Sequence, residues 1–207
     1  MAAVVRPVGS GALLVEVPDG PTAEAFLAEV LRRRGAGEFA AVDVVPGART
    51  VLIDGITPED AGLLAADIPG WDPPPASRTI TRNVEIAVRF DGPDIAAVAA
   101  AWSVPEEAVA GIVCAARLHV AFCGFTPGFG YLAGLDRTTP RRATPRASVP
   151  AGSVALAGEY AGVYPRSSPG GWQIIGTAVD AVLWDAEREP VALLEPGVFV
   201  TFVEVRG

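Results

Sequence analysis

Lysine is missing from this chain: all 16 basic residues are arginine. That absence removes Schiff-base catalysis and the phosphate-binding lysine of a P-loop, so any nucleotide must be held by other groups or by another chain. Histidine occurs once, as His119, and cysteine twice, as Cys114 and Cys123. They form no CxxC pair and no secreted disulfide framework, and they are too few for a zinc or iron site, so no metal is expected. No apolar run approaches the length of a membrane span, and the opening MAAVVRPVGSGALLVEV lacks a basic region followed by an apolar core and a cleavage site. A cytosolic, cytoplasmic protein is expected. A net charge of −8 argues against binding nucleic acid or an acidic membrane.

What is present is a chain of 207 residues, 50% hydrophobic, with 19 prolines and 23 glycines, a composition for short strands and ordered turns rather than a helical bundle. The charge is uneven. From Arg137 to Val179 five arginines (Arg137, Arg141, Arg142, Arg146, Arg166) face the single acid Glu159.

The first seventy residues read as a small α/β unit. A strand spans 12–17, and a helix is predicted with Thr22 as N-cap, Phe26/Val30 and Leu27/Leu31 on one face, and Gly35 at its end. Runs 41–45 and 50–53 around Pro46-Gly47 predict a hairpin, and Thr57-Pro58-Glu59-Asp60 a capping box opening a second helix. Trp71-Asp72-Pro73-Pro74-Pro75 marks a boundary, giving domains 1–71 and 80–207 with a proline-rich linker at 72–79. In the second domain a strand is read at 84–90 and a capping box at Ser103-Val104-Pro105-Glu106. Short β runs follow at 118–123, 153–157, 172–176, 181–184, 191–194 and 198–205. Their rhythm is that of a barrel or sandwich, interrupted by a long proline-containing loop between the first two.

Three constellations carry candidate chemistry. Gly128-Phe129-Gly130-Tyr131-Leu132-Ala133-Gly134 invites a dinucleotide-binding reading but fails on spacing and is followed by no helix. Thr126-Pro127-Gly128 instead has the residues of a type II turn, placing Phe125, Phe129 and Tyr131 on either side of it. Taken singly these aromatics read as a plug for the barrel end. Pro140-Arg141-Arg142-Ala143-Thr144-Pro145-Arg146 sets three guanidinium groups on a stiffened loop, suited to carboxylate or phosphate, with few acids nearby in sequence to occupy them. Ser168-Pro169-Gly170-Gly171-Trp172-Gln173 combines close backbone approach at Gly170 and Gly171 with a flat ring and an amide. A lone histidine such as His119 reads first as a structural hydrogen-bonder, and Cys123 as a small buried residue.

The ordered set Gly124-Phe125-Thr126-Pro127-Gly128-Phe129-Gly130-Tyr131-Leu132, then Pro140-Arg141 and Pro145-Arg146, Val149-Pro150-Ala151-Gly152-Ser153-Val154, Ser168-Pro169-Gly170-Gly171-Trp172 and Ile175-Gly176 resembles the KipI/PxpB family, also described as allophanate hydrolase subunit 1 and as a carboxyltransferase domain. The resemblance implies an α+β protein in which a small α/β domain precedes a cyclophilin-like β-barrel. It implies a partner of the PxpC or allophanate hydrolase subunit 2 type, and with a PxpA-type third subunit an ATP-dependent opening of 5-oxoproline to glutamate, the isolated chain being inactive. Under it Arg141, Arg142 and Arg146 would hold phosphate or substrate carboxylate. Phe125, Pro127, Gly128, Phe129 and Tyr131 would form an apolar wall at the barrel mouth, faced by Gly170, Gly171, Trp172 and Gln173, with His119 and Arg146 as catalytic candidates. An allophanate- or urea-processing subunit and a KipI-like inhibitor of a sensor histidine kinase are the alternatives. One departure stands out: the family commonly continues Gly-Arg-Thr-Pro, whereas Gly176 is followed by Thr177-Ala178-Val179.

Overall fold

The computed structural model describes residues 3–76 and 82–205, and the chain divides into two compact units, Met1–Arg78 and Thr79–Gly207. Residues 77–79 of the expected linker, and the expected domain ends at 1–2, 80–81 and 206–207, lie outside the described residues.

In the first unit β1 (Val4–Val8), β2 (Ala12–Glu16), β3 (Asp43–Pro46) and β4 (Thr50–Asp54) form an antiparallel sheet ordered β1-β2-β4-β3. The central pairs Leu13–Ile53 and Val15–Val51 share one face, buried against Phe26 and Val30 of α1 (Gly20–Gly35) and Leu64 of α2 (Pro58–Asp67). Alternation in β2 and β4 therefore selects which face the helices cover. The N-cap of α1 is Asp19, not the expected Thr22: the Asp19 carboxylate accepts from the Thr22 amide at 2.8 Å, while Pro21 has no amide to satisfy. Phe26 and Val30 are buried as expected, but Leu31 is exposed. Thr57 caps α2 as predicted, accepting from Asp60 N at 3.1 Å. Strand β1 has no counterpart in the sequence expectation, because Pro7 and a mostly exposed face hide its alternation.

The second unit contains β5 (Arg82–Arg89), α3 (Ile95–Trp102), α4 (Glu106–Ala115), β6 (Leu118–Cys123), β7 (Gly130–Ala133), β8 (Arg146–Val149), β9 (Ser153–Ala157), β10 (Tyr160–Val163), β11 (Ser168–Gly170), β12 (Gln173–Ala178) and β13 (Val198–Glu204). Seven strands close into a barrel in the order β10-β7-β6-β13-β5-β12-β9, and β8 pairs with β11 as a separate ribbon. The pairing of β13 with β5 is parallel; the other barrel pairs are antiparallel. Val120, Leu132, Leu156, Ile175, Val200 and Phe202 fill the interior together with side chains of α3 and α4. The α+β fold, a small α/β unit followed by a cyclophilin-like barrel, is the expected one.

Several local expectations change. Ser103 does not open a helix; it ends α3 in the left-handed conformation at φ 55°, and Pro105 is the N-cap of α4. The all-apolar α3 shows too little contrast between its faces to be read from periodicity. Runs 181–184 and 191–194 contribute the single bridge Trp184–Ala192 instead of strands. The long loop after β6 is not structureless: it contains β7, a barrel strand whose Leu132 is fully buried, and β8. Among the described residues no single helix is long and apolar enough to cross a membrane.

Candidate functional site

The turn predicted at Thr126-Pro127-Gly128 forms. Phe129 N donates to Thr126 O at 3.0 Å, and Gly128 sits at φ 83°, the conformation that the third residue of a type II turn requires. Phe125 is also left-handed, at φ 67°, and the residue is 60% exposed. This turn reverses the chain between β6 and β7.

The aromatics around it lie on the outer face of the barrel, not at its mouth. Leu132 points into the core while its neighbour Tyr131 points out, and β9 divides in the same way, with Val154 and Leu156 inside and Ala155 and Ala157 outside. Phe129 stands at the centre of an outer cluster with Tyr164, Trp172 and Ile174; its ring meets Tyr131 at 5.0 Å, and Tyr164 and Trp172 at 5.5 Å, edge to face. Phe122 stacks on Tyr131 at 4.2 Å. Glycine permits this packing, because a Cβ at Gly162 would stand 2.8 Å from the Phe129 ring. Small residues on β9 and β10 thus leave a shelf for large rings.

The arginine loop closes over the edge of that shelf. Arg142 N donates to Gly171 O at 2.8 Å, and Gln173 Nε2 to Pro140 O at 3.1 Å, fixing the loop to the Trp172 segment. Two of the three guanidinium groups are paired, despite the scarcity of acids in the neighbouring sequence. Asp94, at the head of α3, reaches them from 48 and 52 residues earlier in the chain. Its Oδ1 accepts from Arg142 Nη1 and Arg146 Nη2, both at 2.8 Å; Oδ2 accepts from Ile174 N at 2.7 Å and lies 2.8 Å from Arg146 Nη1. Asp94 N in turn donates to Ile174 O at 3.0 Å. Burial pushes the Asp94 carboxyl up, but the Arg146 hydrogen bond, the Ile174 amide and both arginine charges outweigh it and hold the group below the usual carboxylate range. Asp94 raises the pKa of Arg146 in return.

Arg141 forms no ion pair or side-chain hydrogen bond among the described residues, and its charge acts on the Tyr131 and Tyr164 hydroxyls. Burial raises both tyrosine pKa values, with Arg141 opposing, so both phenols stay protonated donors. The side-chain oxygen of Gln173 and Arg142 Nε are buried without a hydrogen-bond partner, and Arg146 Nη1 meets Oδ2 of Asp94 as an ion pair outside hydrogen-bond geometry. The arrangement is a cationic loop beside an aromatic shelf with a donor-rich rim, chemistry that suits a small flat anion.

Two expected site residues lie elsewhere. Pro127 lines a cavity of about 300 Å³ with Thr126, Pro165, Arg166 and Trp184. His119 is buried on the face of β6 away from Leu118 and Val120, 5.9 Å from the Phe199 ring. Thr177, standing where the resemblance leads one to expect arginine, donates to Asp91 Oδ1 at 3.0 Å, so this departure falls at Asp91. Gly170 and Gly171 remain at the site: a Cβ at Gly170 would run into the Tyr164 hydroxyl, and one at Gly171 would touch Pro145 at 3.6 Å. Cys123 is exposed rather than buried as a residue, yet its thiol donates to Leu194 O at 3.4 Å; burial of the thiol and the Glu195 charge push it up to about 11. Asp94 and Tyr164 were not singled out from sequence. The usable signal for Asp94 was a carboxylate set alone at the head of an uncharged run, Ile95 to Val104.

A closed barrel with helices against its core, preceded by an α/β unit, is the architecture of carboxyltransferase barrels. The chain aligns over 99% of its length with 22% of Kluyveromyces lactis urea carboxylase, TM-score 0.77, at 18% identity, a likeness of fold. Residues 3–194 match the family described as carboxyltransferase domain, subdomain C and D, and the chain belongs to that family. It is similar to the 5-oxoprolinase subunit designated B, from Escherichia coli O157:H7, being 40% identical over 169 residues that make up 78% of this chain and 77% of the relative. It is also similar to the crystal structure of TTHA0988, with TM-score 0.74 and 30% identity over 95% of this chain. The chain spans 40% of that protein's length.

Proposed function

We propose that this chain is a subunit of an ATP-dependent 5-oxoprolinase that opens the lactam of 5-oxoproline to glutamate, and that it acts only with partner subunits. The observation that carries the reading is the juxtaposition of Arg141, Arg142 and Arg146 with the Tyr131–Tyr164–Trp172 shelf and the Gln173 amide. A five-membered lactam bearing a carboxylate has the matching parts: an anion for guanidinium, a flat ring for the shelf, and an amide for Gln173. The similarity to a 5-oxoprolinase component supports the same substrate.

A lactam resists water because its nitrogen is a poor leaving group from a neutral amide. Transfer of the terminal phosphoryl group of ATP to the lactam oxygen makes the carbonyl carbon electrophilic. Water adds, the C–N bond breaks with protonation of nitrogen, and a second water releases phosphate, giving glutamate, ADP and phosphate. Residues on this chain hold the substrate carboxylate, and cationic groups stabilise the negative charge that develops on the phosphorylated oxygen. ATP is a substrate of the complex. This chain has no lysine and no P-loop, so the phosphates of ATP are held by its other groups or by its partners, one of the PxpC or allophanate hydrolase subunit 2 type and a third of the PxpA type. Such a system would work in the cytoplasm.

The test is coexpression of the chain with its candidate partners, followed by an ATP-dependent 5-oxoproline assay with allophanate and urea in parallel. Turnover of 5-oxoproline by the complex, and none by the chain alone, is expected. Turnover of allophanate or urea instead, or activity of the isolated chain, would overturn the reading.

A further inference from the structure

Asp94 occupies the N-cap position of α3, where an aspartate ordinarily turns its carboxylate onto the first amides of the helix. Here it makes no such side-chain bond. All of its acceptor capacity is directed away from the helix, onto Arg142, Arg146 and the Ile174 amide, within a side chain only 5% exposed. One carboxylate therefore joins three stretches of chain: the entry to α3, the arginine loop and the edge of β12 next to Gln173. Removing a charge from water in this way is costly and gains little stability over an apolar contact, so the arrangement calls for a different account.

We propose that Asp94 is the positioning residue of the site: it fixes the two guanidinium groups in one orientation and registers them against Gln173 and Trp172 before any ligand arrives. Two arginines and one aspartate leave one net positive charge, to which Arg141 adds a second. The side chains of Arg142 and Arg146 stay 33% and 22% exposed, so the clamp holds them without closing them off. A carboxylate or phosphate then meets a preformed cationic wall and need not order these two long side chains itself. Arg141, which is outside the clamp, is left as the adjustable contact. The part of this inference that concerns turnover rests on the 5-oxoprolinase reading; the clamp itself does not.

Two measurements test it. In the full chain with nitrogen-15-labelled arginine, restricted rotation of the Arg142 and Arg146 guanidinium groups gives resolved Nη signals, whereas those of Arg141 average; in Asp94→Asn all three average. In the reconstituted complex Asp94→Asn raises the KM for 5-oxoproline about tenfold with kcat within about twofold, the pattern of lost preorganised binding, and Asp94→Glu recovers part of it. Averaged Arg142 and Arg146 signals in the wild type, or an unchanged KM in a folded Asp94→Asn complex, would overturn the proposal. If Asp94→Asn does not fold, the wild-type spectrum decides. A wild-type complex that leaves 5-oxoproline untouched removes the functional reading, while the arginine spectra still decide the clamp.

Discussion

Asp94 and Arg146, 52 positions apart, meet in a two-point ion pair, with Nη2 at 2.8 Å from Oδ1 and Nη1 at 2.8 Å from Oδ2. Arg141, five positions before Arg146, has no such partner among the described residues. The two arginines therefore differ in what their removal does. Arg146→Ala leaves the buried Asp94 carboxylate with only Arg142 and the Ile174 amide and is expected to lower unfolding stability by about 2 kcal/mol, whereas Arg141→Ala stays within about 0.5 kcal/mol of wild type and instead weakens anion binding. Urea unfolding of both variants checks the stability half, and the KM of the reconstituted complex checks the other.

The same pair sets an acid limit. The Asp94 pKa in the folded chain lies below its unfolded value. Its ionised form therefore contributes stability that is fully present above the unfolded pKa, about 4, and is lost as pH falls through the lower folded pKa. The stability gap between wild type and Asp94→Asn is expected to be constant from pH 7 to about 5 and to narrow below about 4. Denaturant titrations at stepped pH measure it; a gap that widens on acidification contradicts the assignment.

How much of this was legible beforehand depended on the range of the interactions. The type II turn at Thr126–Phe129 and the Thr57 cap were readable because a few adjacent residues determine them. The cap of α1 was misplaced by three residues, since Asp19 and Thr22 are both competent and Pro21 decides between them. Strand β7 was hidden: GYLA is short and glycine-led, and its alternation emerges only when β6 and β10 pair on either side of it. The arginine loop was legible as a cationic feature, but not the acid that pairs with two of its three arginines, because Asp94 lies on another segment. For the same reason the aromatic residues were placed at the barrel mouth: whether Tyr131 or Leu132 faces inward is fixed by closure of the barrel, not by local pattern.

Cys123 offers a chemical check on the local packing. A thiol pushed up to about 11 is almost entirely protonated at pH 8. Alkylation of Cys123 at that pH is expected to run roughly two orders of magnitude slower than that of an ordinary exposed cysteine, and to speed up on unfolding. Timed iodoacetamide labelling with peptide mass analysis reads the rate. Prompt labelling of the folded chain would mean that the thiol is not held against Leu194 O.

Phe129 and Gly162 test whether the aromatic shelf is one packed unit. Phe129 is 2% exposed and its ring touches Tyr131, Tyr164 and Trp172, so Phe129→Ala is expected to cost about 3–5 kcal/mol. Gly162→Ala places a methyl 2.8 Å from the same ring, and rigid backbone on β10 leaves the ring as the part that must move. Alone it is expected to cost about 1–3 kcal/mol through overpacking. Combined with Phe129→Leu, which removes the ring edge, the added methyl partly fills the space left behind, so the double variant is more stable than the two single costs predict. A double-mutant cycle by urea unfolding measures the coupling, expected at about 1 kcal/mol and favourable. Additive costs would show that Gly162 and Phe129 do not touch, and the shelf beside the arginine loop would then lack the floor that this packing gives it.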